Sequence, residues 1–150
     1  PADEAFGGGR MNIDSIQNGY VIDHIRAGRS MEIYHYLGLD ALDCSVAIIK
    51  NAKSQRMGKK DIIKIDQEIP LDLDLLGYID PGISVNIIRD GKLVEKKKPE
   101  MPARVVNVMK CKNPRCITQT EQELDQIFVL ADREKQIYRC FYCEAAHKSE

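Results

Sequence analysis

The chain has 150 residues with 22 basic and 23 acidic side chains, a formal net charge of −1. That length suits one ordinary domain, or a small domain joined to a metal-stapled module. The near-neutral balance argues against a dominant role on nucleic acid or a membrane surface, and no apolar run approaches transmembrane length.

Residues 1–10 lack an apolar period and carry Gly7-Gly8-Gly9, while Met11 looks like a natural start, so they read as a disordered tail or linker. Tyr20–Ile25 reads as a strand. Ser30 offers an N-cap to a short helix carrying Met31, Tyr34 and Leu37 on one face, with Gly38 near its end. Asp43–Lys50 makes a second strand in which Cys44 is expected as a small buried residue, and Asp61–Asp66 alternates as a third. Pro70 suits the first turn of a second helix, followed by Asp72 and Asp74 near its positive end and by Leu73, Leu75 and Leu76 for burial. Ile83–Arg89 is a fourth strand, and Asp90-Gly91 turns it into a fifth, Lys92–Lys96.

The order β-α-β-β-α-β with one added strand predicts a ferredoxin-like antiparallel sheet with two helices. A polar stretch over 96–102, with Pro99 and Pro102, then connects a domain at 11–103 to a second one at 104–150. In the latter, Val105–Lys110, Ile127–Asp132 and Gln136–Phe141 are the expected strands. The fold class is therefore α+β, with the ferredoxin-like sheet followed by a small all-β zinc-binding domain.

The zinc assignment rests on Cys111, Cys116, Cys140 and Cys143, a C-x4-C and a C-x2-C pair separated by a hairpin-length insert. Four thiolates close the tetrahedron that zinc prefers and leave no position for water or substrate, so one structural Zn2+ per chain is expected. Lys110, Lys112, Arg115 and Arg139 flank the thiols and are expected to favour the thiolate. Asn113 and Pro114 suit a tight knuckle turn. Paired disulfides, reduced free thiols, or His147 in place of one cysteine are the alternatives. With no secretory segment and metal-type cysteine usage, a cytoplasmic location is expected.

A search for a nucleophile, a base and an orienting group finds no active site. Asp23 and His24 adjoin on a strand and should face opposite ways, and Arg56-Met57-Gly58-Lys59-Lys60 lacks the upstream glycine of a phosphate loop. Two lysine clusters remain, Lys59, Lys60 and Lys64, and Lys92, Lys96, Lys97 and Lys98. With Asp23 and His24 they suit phosphates and a sugar hydroxyl. A solvated sheet edge guarded by lysines would look the same.

Taken together, Tyr20-Val21-Ile22-Asp23-His24-Ile25, the run from Met57 to Ile65, Val85-Asn86-Ile87-Ile88 and the four cysteines resemble the regulatory chain of aspartate carbamoyltransferase, in order and from about Met11 to about His147. The resemblance implies a non-catalytic subunit of pyrimidine biosynthesis. Its first domain would bind nucleoside triphosphates, with CTP and UTP inhibiting and ATP activating, and its zinc domain would grip the catalytic chain. It also implies a regulatory dimer. The family's effector pattern falls on Ile13, Asp14, Ile16, Asp23, His24, Ser54, Lys60, Lys64, Asn86 and Lys96. Of these, Lys96, Ser54 and His24 would suit phosphate oxygens, Asp23 and Lys64 the ribose, and the backbone near Ile16 the base. The rival is a zinc-ribbon nucleic-acid-binding protein. Against it, residues 105–150 balance seven basic side chains (Lys110, Lys112, Arg115, Arg133, Lys135, Arg139, Lys148) with seven acidic ones (Glu121, Glu123, Asp125, Asp132, Glu134, Glu144, Glu150), without the positive footprint that phosphate binding needs.

Overall fold

A computed structural model describes residues 16–148, so the expectations for residues 1–10, Ile13 and Asp14 lie outside it. The chain packs as two units. Of the described residues, those up to Leu71 join Gly82–Lys98 in the first, and Asp72–Pro81 join those from Pro99 onward in the second.

In the first unit, β1 (Gly19–Arg26), β2 (Val46–Ser54), β3 (Gly58–Ile65), β4 (Ser84–Arg89) and β5 (Lys92–Lys97) form one antiparallel sheet in the order β2-β3-β1-β4-β5. This is the ferredoxin-like strand order with β5 added at one edge. The β4–β5 turn holds both Asp90 (φ 53°) and Gly91 (φ 76°) in the left-handed region, as a two-residue primed hairpin turn requires. Ile22, Ile63 and Val85 meet in one register row and are fully buried or nearly so. Ile25, Ile65 and Ile83 extend that core, and α1 (Ser30–Tyr36) contributes Ile33 to it.

Two strands depart from simple alternation. In β1 the register shifts between Ile22 and Ile25, and His24 adopts φ 60°. Such a bulge lets Ile22 and Ile25, three residues apart, both face the core. In β2 a similar shift between Ile49 and Ala52 surrounds Asn51, also at φ 60°.

Buried Asp61 ties these irregularities to the helix. Its carboxylate accepts from the amides of Asn51 (2.9 Å), Gly28 (3.1 Å) and Ser30 (3.3 Å). Ser30 was expected to cap α1 with its own side chain, but it is the first helical residue, and Arg29 before it makes no side-chain cap. A carboxylate from β3 takes that role across the chain.

The second unit contains α2 (Leu73–Ile79) and a second antiparallel sheet, β6 (Arg104–Val106), β7 (Ile127–Asp132), β8 (Ile137–Cys140) and β9 (Ala146–Lys148), in the order β6-β7-β8-β9. Asp72 caps α2 by accepting from the Leu75 amide at 3.0 Å. The helix backbone approaches residue 100 so closely that a Cβ on Gly77 would lie 2.0 Å from the Glu100 carbonyl oxygen. Tyr78 meets Tyr138 edge to face at 5.1 Å, and Tyr138 donates its hydroxyl to the Pro102 carbonyl at 2.8 Å. These contacts place residues 72–81, which fall within the expected domain 11–103, among the packing of the second unit.

Element ends differ where side chains intervene. β6 stops at Val106 because Asn107 turns out of the strand at φ 59°, and its side chain engages Gln126 and Asp125. The strand β9 has no counterpart among the expected elements. Cys44 lies before β2 and is only half-buried, not inside a strand. Among the described residues no helix is long and apolar enough to cross a membrane.

Burial pushes the Asp61 carboxyl upward, but hydrogen bonds from Ser30, Asn51 and Gly28 outweigh it and hold the group below its usual range. A depressed folded-state pKa contributes stability above the unfolded value and loses it as acid carries the pH through the folded value. Asp61→Ala should cost about 3 kcal/mol or more, since buried amides lose their acceptor. Urea titrations of this variant and the wild type should converge as the pH falls below about 4.

Candidate metal centre and ligand-binding face

The four cysteine sulfurs converge within 4.8 Å of one another. Cys111 and Cys143 are 3.6 Å apart and Cys116 and Cys140 3.7 Å, far beyond the roughly 2.05 Å of a disulfide. A tetrahedron with metal–sulfur bonds of about 2.3 Å has edges of about 3.8 Å, so the observed spacing fits a four-thiolate metal site. His147 stands aside from the cluster, its ring 6.0 Å edge to face from Phe128. All four coordination positions would be filled by sulfur, and a metal held there would link the chain around residues 111–116 to that around 140–143.

Local structure delivers these ligands. The Asn113 carbonyl accepts from Cys116 N at 3.0 Å and its side chain from Arg115 N at 3.1 Å, which closes the first knuckle. In the second, Glu144 at φ 66° donates its amide to the Cys140 carbonyl at 2.8 Å. Burial pushes the Cys111 thiol up to about 12 and raises Cys140 too. It acts the same way on Cys116 and Cys143, but hydrogen bonds from Thr118 at Cys116, and from Asn113 and the Ala145 amide at Cys143, reverse it and bring Cys143 to about 7. The flanking lysines and arginines were expected to do this, yet burial and hydrogen bonding are the leading influences.

The first unit carries a second cluster on the sheet face opposite the Ile22–Ile63–Val85 row. Directly paired residues point the same way. Lys64 lies opposite Val21, Val21 opposite Asn86, and Asn86 opposite Lys96, so one row crosses four strands with Lys64 and Lys96 about 14 Å apart at their backbones. Two residues along β1, about 7 Å away, Asp23 shares this face and forms a 3.0 Å ion pair with Lys60. The Oδ1 atom of Asn86 is buried and has no hydrogen-bond partner among the described residues.

The bulge also decides where His24 goes. Its amide donates to the Asp23 carboxylate, and its Nδ1 shares a 2.8 Å hydrogen bond with the hydroxyl of Ser84, a residue that pattern alone did not single out. Burial is the largest influence on His24 and lowers its pKa from the usual value. Asp23 opposes this, while Arg56, Lys60 and Lys96 lower it further. Asp23 and His24 thus belong to one electrostatic cluster, contrary to the alternation expected of a regular strand.

Ser54 ends β2, and its hydroxyl accepts from the Met57 amide at 3.1 Å, a turn contact that does not join it to the row. Ile16 is half-buried. The next residue, Gln17, bonds to Asp66 and accepts from Gly91, which puts Ile16 near the end of the sheet where β3 finishes and the β4–β5 hairpin turns.

Because neighbouring cations disfavour the imidazolium, Lys60→Ala and Lys96→Ala should each move the His24 pKa back toward its ordinary value. An NMR titration of the imidazole reads this directly. A value unchanged in both variants would mean that the lysines and the imidazole do not share a site.

Family models match both parts of the sequence. The allosteric domain of the aspartate carbamoyltransferase regulatory chain matches residues 11–100, and the metal-binding domain of that chain matches residues 103–150. The chain is 49% identical over 134 residues to the aspartate carbamoyltransferase regulatory chain of Clostridium botulinum, covering 89% of this chain and 92% of the relative. It is 48% identical over 139 residues to that of Clostridium tetani, covering 92% and 96%. With the chain of Bifidobacterium longum it shares 45% over 138 residues, covering 92% and 99%.

Proposed function

This chain belongs to the family of aspartate carbamoyltransferase regulatory chains, the non-catalytic allosteric subunits of that enzyme of pyrimidine biosynthesis, and we propose that it reads nucleoside triphosphates on the outer face of its first sheet. The observation that carries this reading is the row of Lys64, Asn86 and Lys96 beside the Asp23–Lys60 pair. Cations suit phosphate oxygens, a carboxylate accepts from a ribose hydroxyl, and the unpartnered Asn86 oxygen accepts a donor from the ligand. Lys96 and His24 meet the phosphates, Lys64 and Asp23 the ribose. The backbone near Ile16 suits the base edge. Ser54 accepts from the Met57 amide, which leaves its hydroxyl proton to donate to a phosphate oxygen.

CTP and UTP act as inhibitors and ATP as an activator. They shift the enzyme's quaternary equilibrium by their difference in affinity between its states. The metal is zinc, one ion per chain, bound by Cys111, Cys116, Cys140 and Cys143. It holds a module that docks on the catalytic chain. The first domain, 11–103, pairs with a second copy in a regulatory dimer, the zinc domain is 104–150, and the assembly works in the cytoplasm.

A charge-assisted hydrogen bond contributes about 1.5–3 kcal/mol, so Lys64→Ala and Lys96→Ala should each weaken nucleotide binding by roughly ten- to a hundred-fold in calorimetry. Unchanged affinity in both would reduce the lysines to a solvated sheet face. Metal analysis should return one zinc per chain. Its removal by a mercurial should unfold the cysteine-bearing module and release the catalytic chain with its turnover intact, as sizing and assay would show.

A further inference from the structure

Two consecutive residues of a single 3-10 turn, Ile117–Gln119, reach both ligands of the first knuckle. The Thr118 hydroxyl, in a residue only 5% exposed, donates to the Cys116 sulfur at 3.2 Å. The Gln119 side-chain amide donates to the Cys111 carbonyl at 2.7 Å. Just ahead of β7, Gln126 completes the grip by accepting from the Cys111 amide at 3.0 Å. The turn itself starts on a ligand, because Gln119 N donates to the Cys116 carbonyl at 3.0 Å. The second knuckle has a longer contact of this kind, Ala145 N to the Cys143 sulfur at 3.5 Å.

Four thiolates around a divalent cation leave a net negative charge of two in a largely buried site. Donors aimed at sulfur stabilise that charge, and donors aimed at the ligands' peptides fix where the sulfurs stand. We propose that this turn is a latch on the metal centre, in which Thr118 holds the Cys116 sulfur and Gln119 the Cys111 peptide, and that it sets how long the metal is retained. The proposal rests on the reading of the four cysteines as a zinc site.

The test uses the full chain loaded with zinc, with release followed by a chromogenic chelator, and the cobalt-substituted chain, whose sulfur-to-cobalt absorption reports on the thiolates. Thr118→Val removes the hydroxyl and keeps the shape, and Thr118→Ser keeps the hydroxyl. Thr118→Val should release zinc about 10- to 100-fold faster and shift the cobalt bands, while Thr118→Ser stays close to wild type. Gln119→Leu, at an exposed position, should also speed release without moving the sulfur bands. Wild-type release from Thr118→Val overturns the latch, as does equally fast release from Thr118→Ser, which would make packing the cause. If Thr118→Val does not fold, unchanged release from Gln119→Leu overturns it. A wild-type chain with no bound metal instead overturns the zinc reading itself.

Discussion

Everything on the lysine-bearing face of the first sheet depends on the register of β1, the strand at its centre. Pairing Val21 with Lys64 on one flank and Asn86 on the other places side chains from distant parts of the chain in one row. The same pairing sends Ile22, Ile63 and Val85 to the opposite face, where they are buried. A slip of one residue would exchange the two sets and bury lysine in place of isoleucine. The cost of that exchange is why the core specifies the position of the polar row without any contact between them. The bulge at Asp23 and His24 then adds what a regular strand lacks, a pair of adjacent side chains engaged in one electrostatic cluster.

The second unit solves a different problem. Its sheet has strands of only three to six residues, too little for a large apolar core. The buried aromatic residues Phe128 and Tyr138 supply part of the stability, and α2 adds the Tyr78 ring to them. Four converging thiols supply the rest once a metal joins them, because binding free energy at such a site is folding free energy. The two units therefore respond to different perturbations, the first to acid through Asp61 and the second to loss of metal.

Local chemistry was legible in the sequence wherever one segment determines the outcome. Asp90-Gly91 specified its hairpin and the cysteine spacing its cluster. The parts that were not legible depend on residues far apart in the chain. Nothing around Ser30 announces that Asp61 will cap its helix, and nothing in Asp23-His24 announces a bulge, because both arise when β1 and β3 must bring Ile25 and Asp61 into register. The grouping of residues 72–81 with the second unit was equally hidden. It follows from a close approach between Gly77 and Glu100, set by backbone geometry that a helix signature does not encode. Ser84 was missed because its role appears only when its hydroxyl meets the His24 ring.

A sheet face and a helix terminus offer different means of holding a polyanion. A helix end presents backbone amides within one turn, whereas this face distributes lysines over β3 and β5 with an asparagine between them. Contacts spread in this way would report on strand spacing and twist, so a ligand that drew Lys64 and Lys96 together would act on the whole width of the sheet. The close-packed isoleucine core on the other face would resist local deformation. For a chain that regulates without catalysing, a ligand held on this face would act where another subunit could feel it.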